Sequence, residues 1–172
     1  MITLRETTII AAPIRRCFDL ARSVEVHLVG NTHFGEQAIA LSGSRTAGLL
    51  VLGDTVTWQA RHFFVRQRLT STITAFDPPG YFQDTMLRGA FRFMQHDHRF
   101  RTLAHDRCEM LDIFRFAAPV PLLGRVAEFL VLRRYMQGLL RERNVAIQQI
   151  AESPSETWRQ YLSTDGGPAC AS

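Results

Sequence analysis

The predicted order of helices and strands constrains the fold of this chain more than any single motif does. Loosely alternating residues with Thr and Ile predict a strand over residues 3–11, and Pro13 favours a helix start directly after it. Strand-like runs follow, and then one long amphipathic helix from about Leu122 to Ala151. An antiparallel sheet followed by one long helix buries both apolar faces most simply when the sheet wraps around the helix. We therefore expect an α+β fold, an antiparallel sheet of about seven strands around a C-terminal helix, with a pocket between them.

Turn signals set the limits of the predicted strands. Asp77-Pro78-Pro79-Gly80 is a strong turn, and Pro119 and Pro121 end the last strand-like run. Near the start of the chain, Ser23 is suited to cap a second short helix that reaches Leu28. The glycine-rich part that follows is harder to assign and contains a weak strand prediction at 36–41. The clear strand predictions are at 54–64, 66–76, 81–87, 91–103 and 108–116.

Length and composition predict one globular domain. The chain has 172 residues and an apolar fraction of 46%, which is sufficient for one hydrophobic core. We assign residues 1–152 to this domain. Residues 153–172 are assigned to a C-terminal extension whose end is rich in Gly, Ser, Pro and Ala and is expected to be flexible. The three cysteines lie far apart and in no metal-ligand spacing, which favours reduced thiols in a cytoplasmic protein.

The charge pattern argues against nucleic acid as a partner. The formal net charge is +4, and the chain contains arginine but no lysine. The arginines are scattered and form no basic stripe with exposed aromatic residues between them, so we expect no nucleic-acid partner. No apolar run reaches membrane-spanning length, and no apolar segment follows a basic start. We therefore expect neither an integral membrane segment nor a signal peptide.

Four stretches of the sequence resemble one known family. They are IIAAPIRRCFDLA from Ile9, GLLVLGDTVTWQARHF from Gly48, ITAFDPPGYFQDTMLRGAFRFMQHDHRF from Ile73 and PLLGRVAEFLVLRRYMQGLLRERN from Pro121. In this order they resemble the START-like, or polyketide cyclase and lipid-transport (SRPBCC), superfamily, especially its small bacterial members. The resemblance implies a helix-grip fold and a cavity for a hydrophobic ligand. It does not imply one catalytic set, because members bind lipids, transfer them, cyclise polyketides or act as adaptors.

Strand alternation predicts which side chains line that cavity. We take the inward faces to be those that bury the most large apolar side chains. Methionine and aromatic side chains on these faces suit an adaptable apolar pocket, although the same residues also fill ordinary cores. The predicted apolar contacts to a ligand are Trp58, Met86, Phe114, Phe129 and Met136. The inward faces as a whole are Val56, Trp58, Ala60 and His62; Phe82, Asp84 and Met86; Met94, His96, His98 and Phe100; and Met110, Asp112, Phe114 and Phe116.

Ionisable residues on these faces are the candidates for chemistry, since burying them is costly unless they pair or coordinate something. They are His62, Asp84, His96, His98 and Asp112. We expect this group to orient the polar end of a ligand. Alternatively, a His–Asp pair drawn from His62, Asp84, His96 and Asp112 acts as a general base and its orienting group, or the residues form a plain structural network. His96 and His98 project to one face and can chelate, but two histidines alone are a weak signal, so we expect no metal and no cofactor.

The leading functional prediction is the binding, with transport as an option, of a hydrophobic small molecule or lipid between the sheet and the helix. The first alternative is an enzyme of the cyclase or dehydratase type that uses the same cavity. The second is a protein-interaction module whose cavity is vestigial. An exposed strand edge or the arginine-rich helix could mediate a homodimer. The helix arginines Arg133, Arg134, Arg141 and Arg143 are predicted to form a solvated face, with an anionic headgroup or membrane surface as the alternative partner.

Overall fold

An antiparallel sheet and a long C-terminal helix dominate the fold. The computed structural model describes residues 1–32, 35–41, 43–62, 65–117 and 125–162, with the side chains of residues 62 and 125–130 outside that description. The helices are α1 (Ile14–Ala21), α2 (Val24–Gly30) and α3 (Arg125–Ala151), followed by a 3₁₀ helix at Glu156–Tyr161. The strands are β1 (Ile2–Ile10), β2 (Gln37–Ala38), β3 (Ser44–Arg45), β4 (Thr55–His62), β5 (Val65–Asp77), β6 (Tyr81–Arg88), β7 (Phe93–Ala104) and β8 (Arg107–Ala117).

The sheet has the strand order β1-β8-β7-β6-β5-β4-β2, and β3 joins it by pairing with β4. The β3–β4 pair is parallel, whereas the other strand pairs are antiparallel. The predicted α+β helix-grip class is therefore confirmed. The sheet has eight strands rather than about seven because two strands of two residues lie beside β4. The weak strand prediction at 36–41 corresponds to β2 alone, and only two of its residues pair.

The register of the three strands β6, β7 and β8 positions the candidate residues. Asp84 pairs with His96, and His98 pairs with Asp112. Because directly opposite residues of an antiparallel pair share one face of the sheet, these side chains point the same way. The β-bulges between β5 and β6 fall on β5, next to Ile73, and at the far end of β6. The predicted inward faces of β6, β7 and β8 therefore keep their alternation through the site.

An aromatic cluster fixes α1 against the sheet. The ring of Phe18 lies 5.5 Å from that of Phe76, 5.6 Å from that of Phe82 and 5.5 Å from that of Phe100. Such tilted and edge-on arrangements are favourable for aromatic pairs. Ile147, near the end of α3, is fully buried in the same cluster. The helix and the sheet thus share one core at this end of the molecule.

Helix α2 approaches α3 closely because residue 30 is glycine. A Cβ atom at Gly30 would lie 3.0 Å from the Cα of Arg143, which is tighter than ordinary packing. Arg143 is buried, and its guanidinium donates a 2.8 Å hydrogen bond to the carbonyl of Ala21. The predicted solvated arginine face is therefore wrong for Arg143, although Arg133, Arg134 and Arg141 are exposed. Tertiary packing of α1 and α2 covers this position, which lies between Leu140 and Ile147 on the apolar face of α3.

The 3₁₀ helix after α3 contacts the core cluster that contains Phe18 and Ile147. Trp158, Tyr161 and Leu162 pack against it while staying partly exposed, and the guanidinium of Arg16 lies 4.4 Å from the centre of the Trp158 ring.

Ser23 caps α2 as predicted, since its hydroxyl accepts a hydrogen bond from the backbone of Val26. Within the part of the chain that the structure describes, no helix combines the length and the apolar character needed to cross a membrane.

Candidate functional site

Four ionisable residues from three adjacent strands meet on the face of the sheet that α3 contacts. Asp84 comes from β6, His96 and His98 from β7, and Asp112 from β8. The i, i+2 spacing of the histidines places both rings on one face, and the centres of the rings are 3.8 Å apart. Strands β6 and β8 flank β7 on either side, so each of them supplies one carboxylate.

The two imidazoles lie between the two carboxylates. His98 contacts Asp84 Oδ2 through Nε2, at 3.1 Å, and Asp112 Oδ1 through Nδ1, at 2.7 Å. The Nε2 atom of His96 lies 2.9 Å from the same Asp112 oxygen, and its Nδ1 atom lies 3.9 Å from Asp84 Oδ2. Each ring therefore presents one nitrogen to Asp112 and the other to Asp84.

Two side chains of helix α3 also contact this network. The side-chain amide of Asn144 donates to Asp112 Oδ2 at 2.8 Å and to Thr8 Oγ1 at 3.3 Å. The guanidinium of Arg143 lies 3.8 Å from Asp112 Oδ1. Sequence reasoning missed both helix residues. The helical spacing does indicate them. Arg143 and Asn144 are three and four positions after Leu140, so they lie on the same face of the helix as Leu140 and Ile147.

Burial and pairing determine the charge states. Burial opposes ionisation of Asp112, but the close contacts with His96 and His98 outweigh it and hold the pKa of this carboxyl well below its usual range. For Asp84, burial again favours the neutral acid, and the hydrogen bond from His98 together with nearby positive charge still lowers the pKa. Burial, followed by the charge of His98, lowers the pKa of His96 to about 4. The network therefore holds two carboxylates, the Arg143 cation and a neutral His96.

Three atoms at the centre of the network lack aligned hydrogen bonds. They are His96 Nε2, His98 Nδ1 and Asp112 Oδ1, each fully inaccessible to solvent and without a hydrogen-bond partner among the described residues. The two imidazole nitrogens lie 2.9 and 2.7 Å from Asp112 Oδ1, but N–H bonds on these nitrogens do not point at this oxygen. Buried polar atoms of this kind are uncommon and call for an explanation.

Incompletely buried apolar side chains lie next to this network. They pack against a cluster that includes Met94, Phe114 and Phe116 of the sheet, together with Leu140 of α3. Asp84 itself keeps 19% of its side chain exposed, whereas Asp112 is completely buried. The partly exposed set, which we call the apolar wall, consists of Leu69, Met86, Phe91, Leu132 and Met136.

The other predicted ligand contacts do not all lie in one place. Trp58 is buried in a different cluster and stacks on His27, with ring centres 3.9 Å apart. Met86, Phe114 and Met136 do share one cluster, in which Phe114 is a core residue and the two methionines are partly exposed. The backbone positions of His62 and Phe129 lie in β4 and α3, but their side chains lie outside the described residues.

Asp97, between the two histidines, points to the opposite face of the sheet and was not predicted as a candidate. It accepts hydrogen bonds from Tyr81 at 2.8 Å and Gln83 at 2.7 Å, and it pairs with Arg115. Burial favours its neutral form, but the bonds from Gln83, Arg115 and Tyr81 lower its pKa. This outer network joins β6, β7 and β8 behind the site, so it supports the positions of the histidines.

A surface groove of about 330 Å³ lies between β1 and α3. Its lining includes Asn144, whose amide also reaches Asp112, and it is flanked by Glu6 and Arg141, which form a 3.0 Å ion pair. Asp84, His96 and His98 do not line it. The groove therefore touches the polar network only at the helix side.

Solved structures identify the fold. A START superfamily protein from Mycobacterium smegmatis is 10% identical, with 86% of this chain and 98% of that chain covered and a TM-score of 0.63. The Zhui aromatase/cyclase from Streptomyces sp. R1128 is 14% identical, with 88% and 93% covered and a TM-score of 0.63. A protein from Thermus thermophilus is 16% identical, with 85% and 97% covered and the same TM-score of 0.63.

The chain has the START-like, helix-grip fold. No protein-family model matches the sequence, and a search of curated proteins finds no match. At 10–16% identity the likeness concerns the fold and not the ligand or the reaction. In this START-like fold the His–Asp network lies on the face of the sheet that α3 covers.

Proposed function

We propose that this protein binds, and in a cytoplasmic setting transports, a hydrophobic small molecule or lipid between the sheet and α3. In this proposal the apolar wall contacts the body of the ligand, and the exposed edge of the His–Asp network holds its polar end. The observation that carries the proposal is the position of Asp84 and Met86. They share one face of β6, and each stays partly exposed, one beside the buried network and one in the apolar wall.

The chemistry of the site favours a ligand with a hydrogen-bond donor at its polar end. A carboxylate such as Asp84 accepts hydrogen bonds, so a hydroxyl or amino group suits it better than a second carboxylate would. Partly exposed methionine side chains adapt to ligands of different shapes, which suits a pocket for apolar molecules. The fold is compatible with this proposal, since structures with the same fold include a START superfamily protein.

Placing a charge in the apolar wall is expected to weaken ligand binding. We expect Met86→Arg to weaken binding of an uncharged apolar fluorescent probe, N-phenyl-1-naphthylamine, at least about tenfold, equivalent to about 1.4 kcal/mol. The matched control is Leu87→Arg, because Leu87 is the next residue of β6 and is 62% exposed. Equal affinity for the probe in both variants and the wild type would contradict the proposal.

Native mass spectrometry of the freshly purified protein tests the natural ligand directly. A mass excess over the denatured protein that disappears in Met86→Arg and persists in Leu87→Arg would support a bound apolar molecule. The released molecule, analysed separately, would show whether its polar end is a hydroxyl or an amine.

A second candidate function is an enzyme of the cyclase or dehydratase type. The observation that favours it is His98, whose two nitrogens contact two carboxylates at 3.1 and 2.7 Å. A carboxylate behind an imidazole orients the ring and stabilises its protonated form, which is the arrangement of a general base. One of the structures with this fold is an aromatase/cyclase. Chemical conversion of the released molecule by the wild type, but not by His98→Gln, would favour this candidate.

A further inference from the structure

Each ring nitrogen of His98 faces a carboxylate oxygen, so each of the two contacts needs a proton or a cation between nitrogen and oxygen. A nitrogen lone pair facing a carboxylate oxygen at 2.7 or 3.1 Å is repulsive unless a proton or a cation lies between them. A neutral imidazole supplies one proton. The second contact therefore needs either a second proton, on His98 or on the carboxyl group, or a metal ion.

Asp112 faces both imidazoles from the buried side. Its Oδ1 atom lies 2.9 Å from His96 Nε2 and 2.7 Å from His98 Nδ1, so in a metal-bound form the N–H groups belong on these two nitrogens. The opposite nitrogens, His96 Nδ1 and His98 Nε2, then present lone pairs toward Asp84. The metal takes the place of the proton in the 3.1 Å hydrogen bond between His98 Nε2 and Asp84 Oδ2. A carboxylate that receives the distal N–H groups of histidines is the usual outer support of metal-binding imidazoles.

We propose that Asp84 Oδ2, His96 Nδ1 and His98 Nε2 bind one divalent transition-metal ion, and that Asp112 orients both imidazoles from the buried side. The proposal goes beyond the binding of an apolar ligand and does not depend on it. One ligand atom from each of these three residues lies within 4.8 Å of the others. Two imidazoles and one carboxylate, with the remaining positions open, form a site that suits Zn²⁺ or Fe²⁺.

The distances require only a small adjustment. Ligands at about 2.0–2.1 Å from a tetrahedral ion are about 3.3 Å from one another. The Asp84–His98 separation is 3.1 Å, which already fits this spacing. The Asp84–His96 separation is 3.9 Å and must shorten by about 0.6 Å.

Exposure places the open side of this site at Asp84. The Asp84 side chain is 19% exposed, whereas the Asp112 side chain is completely buried. An ion from solvent therefore reaches Asp84 and not Asp112.

The experiment titrates chelator-treated full-length protein with Zn²⁺ and with Co²⁺, measured by calorimetry and by the visible absorption of Co²⁺. We expect one equivalent to bind the wild type. His96→Gln, His98→Gln and Asp84→Asn should weaken binding about 100-fold or more. His105→Gln is the matched control, because His105 forms an exposed 3.0 Å pair with Asp106, far along the β7–β8 hairpin, and should keep the wild-type affinity.

Nitrogen-15 NMR of the imidazoles tests the proposal in the wild type, so it does not depend on variants that fold. Zn²⁺ should shift His96 Nδ1 and His98 Nε2 while His96 Nε2 and His98 Nδ1 keep their protons. The absence of one-equivalent binding would overturn the proposal, as would wild-type affinity in the His96 and His98 variants. A His98 ring protonated at both nitrogens in the presence of saturating Zn²⁺ would overturn it as well, because His98 Nε2 would then carry a proton and not the metal ion.

Discussion

Replacing Asp112 by alanine is expected to lower the free energy of unfolding by about 3–5 kcal/mol, the usual cost of removing one partner from a buried charge network. Asp112 is fully buried and contacts His96, His98, Arg143 and Asn144 through its two oxygens. Its loss leaves the Arg143 cation and the Asn144 amide without their acidic partner. Urea unfolding followed by circular dichroism measures the change as a shift of the midpoint at constant slope.

Glu109→Ala is the matched control for this prediction. Glu109 lies on the same strand, and its partner Arg101 is largely exposed, with 3.0 Å between the ion-paired atoms. Exposed ion pairs contribute about 0–1 kcal/mol, so this variant should unfold nearly as the wild type does. A loss in Asp112→Ala no larger than that in Glu109→Ala would show that the network does not stabilise the fold.

Phe18→Ala is expected to cost about 3–5 kcal/mol, because it removes a ring that three other aromatic rings surround. Phe18 is 2% exposed and connects α1 with β5, β6 and β7. The same unfolding measurement compares it with Phe93→Ala, which removes a ring that is 38% exposed and should cost about 1 kcal/mol or less.

Equal destabilisation by the two phenylalanine variants would contradict the assigned core. An unfolding slope that changes together with the midpoint would instead indicate a different compactness of the folded or unfolded state. The comparison therefore tests the packing of α1 against the sheet rather than the average effect of losing a phenylalanine.

The fold was largely predictable because its signals are local. Alternation of apolar residues in β6, β7 and β8, the Asp77–Gly80 turn and the stripe of α3 each act over a few residues. The same alternation placed Asp84, His96, His98 and Asp112 on one face of the sheet. Their role in binding or catalysis stays a prediction, because a shared face of the sheet does not reveal which groups these side chains contact.

The parts that were missed depend on contacts between distant segments. Arg143 was expected in solvent, but the glycine at residue 30 lets α2 approach and bury it. Asp97 was not among the predicted candidates, and it is the centre of an outer network with Tyr81 and Arg115. The sequence pattern around Asp97 does not distinguish it from an ordinary exposed charge, whereas the helical spacing from Leu140 does distinguish Arg143.

The absence of a metal was expected because two histidines alone are a weak signal. The metal proposal adds a carboxylate on each side of the two rings, which follows from the pairing of β7 with β6 on one side and β8 on the other. Register is a tertiary property, since it depends on which strands become neighbours and on where bulges fall.

The sequence by itself determined the order of the elements, the inward faces of the central strands and the apolar stripe of α3, because these depend on periodicities of 2 and 3.6 residues. Only the tertiary structure decided that the two histidines lie between two carboxylates, with Arg143 and Asn144 of α3 above them. Periodicity specifies the face on which a side chain lies. The distances between side chains, and thus the chemistry, come from strand pairing and from the position of the helix on the sheet.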